Sequence, residues 1–232
     1  AVDDGLLDHS FILLHAKKLS YVREPLPVLE VVADAYKPLL LDTIKVPSPD
    51  CYLRPEGVSW EEHSRLMFAH MQQTLAEHHH EVAAVIVEPL IQGAGGMRMY
   101  DISFLKRARE LCNQYDVLLI FDEVATGFGR TGNRFVADLV LPDILVLGKA
   151  LTGGYIGHAV TVANHKVFDA FYSDDDRLAQ MHSPTFMGKP LACAVALKGI
   201  EIFERDNYMS KIRHIEQISR QEMENFSDPR IK

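Results

Sequence analysis

Between residues 80 and 165 the sequence switches repeatedly between two hydrophobic periods, and this alternation restricts the fold more than any other feature. EVAAVIVEP (81–89) is a continuous β-branched apolar run closed by Pro89, the pattern of a strand buried on both faces. SFLKRARELCNQY (103–115) changes to helical spacing. Phe104, Ala108, Leu111, Cys112 and Tyr115 share one face, and Lys106, Arg107 and Arg109 fall on the other. VLLIFDE (117–123), DILVLGKA (143–150) and HAVTVAN (158–164) return to buried strand patterns. Strands alternating with helices in this way predict an α/β fold with a mainly parallel sheet. Around this block, Ser59 and Glu62 form a capping-box signature for a helix running to about His78. Residues 189–205 read as an apolar helix with Pro190 in its first turn. Residues 210–226 read as a further helix with Ile212, Ile215 and Ile218 on its inner side. Residues 1–50 carry weaker signals, and the prolines of 47–57 mark an irregular loop.

The remaining composition excludes several classes of function. Among 232 residues, 47% are hydrophobic and 24% charged, the balance of a globular protein. A net charge of −8 with no basic stripe argues against a nucleic-acid partner. No apolar run has the roughly 18 residues of a membrane span, so no membrane role is expected. Cys51, Cys112 and Cys193 form no CxxC pair. They fit buried apolar positions in a reducing, cytoplasmic compartment better than a metal or disulfide site. The sequence opens on Ala1 and stops soon after a helical pattern, and it is expected to be a piece of a longer protein.

Ligands of parallel α/β sheets bind beyond the carboxyl ends of the strands. Three predicted strands end in ionisable groups there: Glu88, then Asp122-Glu123, then Lys149. LLIFDE looks like the acidic strand of an ATPase, and GKALTGG looks faintly like its phosphate loop. That loop requires G-x-x-x-x-G-K-[ST]. Here Ala150 follows Lys149, and Asp143 stands at the first glycine position, where an acid would repel phosphate. Pyridoxal phosphate chemistry makes a different demand. It needs a lysine amine to bind the cofactor aldehyde and move protons, and a carboxylate to keep the pyridine nitrogen protonated. Asp122 and Lys149, 27 residues apart, supply both groups. Desolvation behind an apolar strand would also favour the free amine. Asp and Lys at strand ends are often structural, so this pair alone leaves both readings open.

Four segments in order, VAAVIVEPLIQGAGGMRMY, LLIFDEVATGFGRTG, PDILVLGKALTGG and MHSPTFMGKPLACAVAL, resemble the class III (omega-type) aminotransferases. The resemblance is strong over 80–205, weaker over 35–79 and 206–232, and absent from 1–25. It implies a fold-type I pyridoxal-phosphate transferase large domain, incomplete here. The implied organisation is a poorly matching segment (1–45), a partial cofactor-binding domain (46–205) and the start of a connection to a small domain (206–232). The wording of QGAGGMRMY and HSPTFMGKPLACA is most similar to the branch that transfers an amino group from S-adenosylmethionine to 8-amino-7-oxononanoate in biotin biosynthesis. Another omega-aminotransferase, or a truncated non-catalytic remnant of one, is the alternative.

By this resemblance Lys149 is the cofactor-binding and proton-moving lysine, also in contact with substrate, and Asp122 faces the pyridine nitrogen. Pro184 and Thr185 are implied to hold the phosphate of a partner subunit's site, which makes the protein a homodimer with shared active sites. Ser183 stands at a substrate-contacting position where the family usually has Gly. Glu123 reads as a structural hydrogen-bonding residue, Val124 as either a wall of the cofactor site or a core valine, and Arg130 as a buried residue that fixes its loop or clamps a substrate carboxylate. QGAGG (92–96) reads as a tight turn, and His78-His79-His80 as a solvated helix end rather than a metal site. The family's upstream phosphate-loop helix, its GYHG-type aromatic segment and its C-terminal domain have no counterpart in this sequence. The connection from Asp122 to Lys149 is about two residues short.

Overall fold

A computed structural model describes residues 17–21, 43–93, 95–180 and 185–227 of the chain. Its main sheet contains β1 (Lys17–Tyr21), β2 (Thr43–Val46), β3 (Val82–Val87), β6 (Leu118–Asp122), β7 (Ile144–Leu147) and β8 (Val160–Ala163). Their spatial order is β2-β1-β3-β6-β7-β8, parallel throughout except for antiparallel β8. A separate two-stranded hairpin joins β4 (Ile91–Gln92) to β5 (Arg98–Met99). Among the described residues the α-helices are α1 (Trp60–His78), α2 (Ile102–Tyr115), α3 (His165–Asp169), α4 (Pro190–Arg205) and α5 (Tyr208–Glu224).

The local signals explain these boundaries. Ser59 accepts the Glu62 N–H at 3.1 Å and starts α1. Asp101 accepts the Ser103 N–H at 2.8 Å and starts α2, which ends where Asp116 takes a left-handed conformation. The sheet is covered on both faces, as the continuous apolar strands require. Val85, Val87, Leu119 and Phe121 point to α1 and α2, where Phe68 and Phe104 meet edge to face at 5.2 Å. Ala84, Ile120 and Ile144 point the other way and meet Val167 of α3.

Several expectations change. β1 lies inside the segment without recognisable signals, and β2 crosses the 45/46 boundary. β8 is mostly exposed rather than buried, because it is antiparallel and nothing among the described residues pairs with its outer edge. Helix α5 buries none of its residues, and Ile215 and Ile218 of its expected inner side are exposed. Arg109 is not solvated: its Nη1 donates to Asp143 Oδ2 at 2.7 Å. Cys51 and Cys112 are buried, but Cys193 is only half-buried. The histidine run is packed as well as solvated. His78 Nδ1 lies 2.7 Å from Glu81, and His79 stacks on Tyr115 at 4.7 Å.

Candidate active site

Because β3, β6 and β7 are adjacent and parallel, their carboxyl ends lie at one end of the sheet. Glu88 directly follows β3, Asp122 is the last residue of β6, and Lys149 comes two residues after β7. The strand alternation expected from sequence therefore brings three charged groups to one sheet end. Asp122 is half-buried, and its Oδ1 accepts the Val124 N–H at 3.1 Å. No hydrogen bond reaches its Oδ2 among the described residues.

Lys149 begins a short 3-10 turn, Lys149–Thr152. Leu151 N–H donates to Gly148 O at 3.0 Å, and Gly153 N–H donates to Ala150 O at 3.1 Å. Gly153 and Gly154 then take φ of +59° and +84°, which explains the paired glycines. Lys149 itself has φ +47°, a conformation non-glycine residues rarely hold. Leu90 (φ +65°) and Phe128 (φ +56°) share that conformation, and all three line the same cleft. Three of the six non-glycine residues with positive φ among the described residues therefore line this cleft, and such strain persists where the surrounding fold over-determines the backbone. Lys149 is exposed, so the expected desolvation behind β7 does not occur in this chain.

The cleft has a volume of about 1310 Å³. Lys149 and Val124 lie in its wall, with Leu90 and Tyr100 from the β4–β5 region and Ile212 from α5. Val124 faces Gly148, where an added Cβ would lie 3.4 Å from its Cγ1, so it packs against the backbone that carries Lys149. Arg130 lies in the cleft wall but is exposed, against the buried position expected for it. Glu123 fixes the loop instead. It is fully buried, and its two oxygens accept the Val136 and Ala137 N–H groups at 2.9 Å each. Burial holds its carboxyl above the usual range, against the pull of those two bonds.

QGAGG is a hairpin turn, as expected, in which Met97 and Gly96 both donate to Gly93 O at 3.1 Å. Thr185 is exposed at the start of the segment leading to α4. Ser183 and Pro184 lie outside the described residues. Sequence reasoning missed the buried Tyr100, whose hydroxyl donates to Glu88 O at 2.7 Å, and the exposed Tyr155 at the cleft. The only signal for Tyr100 was its place at the end of MRMY. Among the described residues no cluster of His, Cys, Asp or Glu is arranged to hold a metal, and no helix is long and apolar enough to cross a membrane.

An amine at one strand end and a carboxylate with an oxygen to spare at the next fit the demands of pyridoxal phosphate. Its aldehyde needs the first group and its ring nitrogen the second.

Comparison with known proteins agrees with this fold. The family profile described as Aminotransferase class-III matches residues 30–232. The adenosylmethionine-8-amino-7-oxononanoate aminotransferase of Geobacter sulfurreducens is 40% identical over 188 residues, covering 79% of this chain and 42% of that protein. The Mycobacterium leprae protein of the same name is 50% identical over 143 residues, covering 61% and 33%. The solved structure of the same-named protein from Methanocaldococcus jannaschii aligns with a TM-score of 0.72 at 30% identity, over 89% of this chain and 49% of that one. An amine transaminase from an uncultivated Pseudomonas species, solved in a PLP-bound form, aligns with a TM-score of 0.75 at 29% identity, over 88% and 50%. The chain thus spans less than half the length of these two curated relatives.

Proposed function

The chain belongs to the class III aminotransferases, and from that premise we propose that it carries the cofactor-binding large domain of a pyridoxal-phosphate-dependent aminotransferase. The observation that carries this reading is the placement of Asp122 at the end of β6 and of Lys149 just past the end of the adjacent β7, with Lys149 and Val124 in the wall of one cleft. Pyridoxal phosphate, when bound, supplies a ring that accepts carbanion charge from the substrate. Lys149 Nζ would hold its aldehyde covalently and then move a proton at the substrate α-carbon. Asp122 would hold a proton on the ring nitrogen, and Val124 would wall the ring. Thr185, with Ser183 and Pro184, would serve the phosphate and substrate of a partner subunit, so the working unit is a homodimer.

The reaction we propose takes the amino group of S-adenosylmethionine to 8-amino-7-oxononanoate, giving 7,8-diaminononanoate. The names of the curated relatives at 40% and 50% identity support it. The similarity to the Pseudomonas amine transaminase favours a second reading, another omega-aminotransferase. We also propose residues 46–205 as the partial large domain and 206–232 as the connection to a small domain, with 1–45 contributing β1. Three free cysteines support a cytoplasmic location.

The test is capture. The chain is incubated with pyridoxal phosphate, reduced with borohydride and mapped by peptide mass. A visible absorbance band before reduction and a pyridoxyl group on Lys149 after it are expected, and both disappear in Lys149→Ala. A chain that captures nothing, or captures equally without Lys149, sinks the reading. A half-reaction with S-adenosylmethionine against simple amines then decides the donor.

A further inference from the structure

Glu88 is a charged residue at the site to which neither sequence nor comparison assigns a role. It follows β3 directly, beside Asp122 across the β3–β6 pair, with Lys149 one strand further on. Its position is over-determined. Its Oε2 accepts the Gly93 N–H at 3.0 Å, closing the β3–β4 turn from the side-chain side. Its carbonyl accepts the hydroxyl of buried Tyr100 at 2.7 Å, and Tyr100 N–H donates to Leu90 O at 3.1 Å. Between Glu88 and Gly93 lies Leu90, held at φ +65° in the cleft wall. A surface glutamate has no need of such a latch. This one ties a strained turn into the cleft while keeping a half-buried carboxyl at the sheet end that bears Asp122 and Lys149.

We propose that Glu88 is a positioning residue of this site: its carboxyl latches the β3–β4 turn through Gly93 and forms one electrostatic unit with Asp122 and Lys149. Three facing groups act on it. Asp122 comes from β6, Lys149 from the turn after β7, and Tyr100 from the segment after β5, as a phenol bound to the Glu88 carbonyl. Burial is the largest influence and raises the carboxyl's pKa. The Gly93 bond lowers it, Asp122 raises it and Lys149 lowers it. Near the cofactor this unit would let Glu88 set the charge balance around the acid that faces the ring nitrogen. That role toward the cofactor rests on the function proposed above, whereas the coupling among the three side chains does not.

The experiment has two arms. In the first, the Glu88 side-chain carboxyl of the full chain is followed by carbon NMR across pH, without cofactor. Its titration midpoint is expected to fall in Asp122→Asn and to rise in Lys149→Met. Each shift should be about 0.3–0.6 pH units, the effect of a unit charge one to two strand spacings away in a water-like dielectric. Lys149 is exposed, so the second variant keeps the fold if the first does not. A midpoint unmoved in both overturns the unit. In the second arm, Glu88→Gln keeps an acceptor for Gly93 but loses the charge, whereas Glu88→Ala loses both. With pyridoxal phosphate bound at Lys149 and left unreduced, the pH profile of the visible band is expected to shift in Glu88→Gln at unchanged melting temperature. Glu88→Ala is expected to shift the band and lower the melting temperature. A Glu88→Gln profile superimposed on the parent with capture intact overturns the role toward the cofactor. Capture failing in the parent chain would overturn the cofactor reading, and the first arm would still decide the coupling.

Discussion

Asp143 and Glu123 are both withdrawn from water, yet the fold moves their carboxyls in opposite directions. Asp143 sits at the start of β7, the end of the strand remote from Lys149. Burial pushes its pKa up, but the Leu119 N–H at 2.8 Å and the Arg109 guanidinium at 2.7 Å outweigh that and hold it below the usual range. A lowered carboxyl contributes stability above its ordinary pKa and loses it as pH falls through the folded value. Asp143→Ala strands a partly buried Arg109, whose side chain is 19% exposed, and orphans Asn164 Nδ2. A loss of about 3–5 kcal/mol is expected in urea denaturation at neutral pH, shrinking as pH falls through the acid range. A loss that stays constant down to acid pH would show that the charge is irrelevant. Glu123 reverses the sign. Its raised carboxyl makes stability fall as pH rises from the ordinary glutamate range towards its folded value. Glu123→Ala orphans two buried N–H groups and should cost at least about 2 kcal/mol. Glu123→Gln should cost less and flatten that stretch of the stability–pH profile. If Glu123→Gln matched Glu123→Ala at every pH, a charge-independent packing role would replace this account.

At the scale of elements, the turn that bears Lys149 is held from outside by α4. A Cβ on Gly199 would lie 3.0 Å from Leu151 O, so the helix lies directly on the turn only because residue 199 has no side chain. Helix propensity alone predicts that Gly199→Ala gains about 1 kcal/mol. The contact is with a backbone carbonyl inside a hydrogen-bonded turn, and overpacking of that kind costs about 1–3 kcal/mol. Net destabilisation is expected, with slower capture of pyridoxal phosphate by Lys149. A stabilised variant with unchanged capture would mean that α4 does not position the turn. The elements also show what the residues alone could reveal. The cores of β3, α2, β6 and β7 were legible because each carries its own period, and Asp122 and Lys149 were legible because strand ends in parallel sheets converge. β1 was not legible: KKLSY has no alternation, and its place between β2 and β3 is dictated by pairing. Arg109 was misplaced because its partner Asp143 is 34 residues away, and the Glu88–Gly93 latch depends on a left-handed Leu90 that no residue type announces. Exposure of β8, α5 and Lys149 was equally hidden, since hydrophobic pattern records what a residue seeks to cover, not whether this chain supplies the cover.

For the whole molecule, that uncovered surface is the main consequence. Leu191 and Leu197 on α4, Ile215 on α5, and Phe186, Met187 and Tyr155 are each more than 60% exposed. Folded monomers rarely leave apolar patches larger than a few hundred Å² in water. The segment from Thr185 into α4 is also the one proposed to reach a partner's phosphate, so the homodimer would cover apolar residues beside the shared site. Sedimentation velocity is expected to show a dimer or larger species at micromolar concentrations, and a monomer throughout would remove the shared-site proposal. Salt distinguishes the forces involved. A net charge of −8 makes two copies repel, while burial of leucine and phenylalanine is insensitive to modest salt. Association driven by the apolar surface should therefore strengthen as sodium chloride rises from low to physiological concentration, because screening removes the repulsion and leaves the attraction. Association that weakens over that range would have to be held by complementary charges, and α4 and α5 would then not be the surfaces that meet.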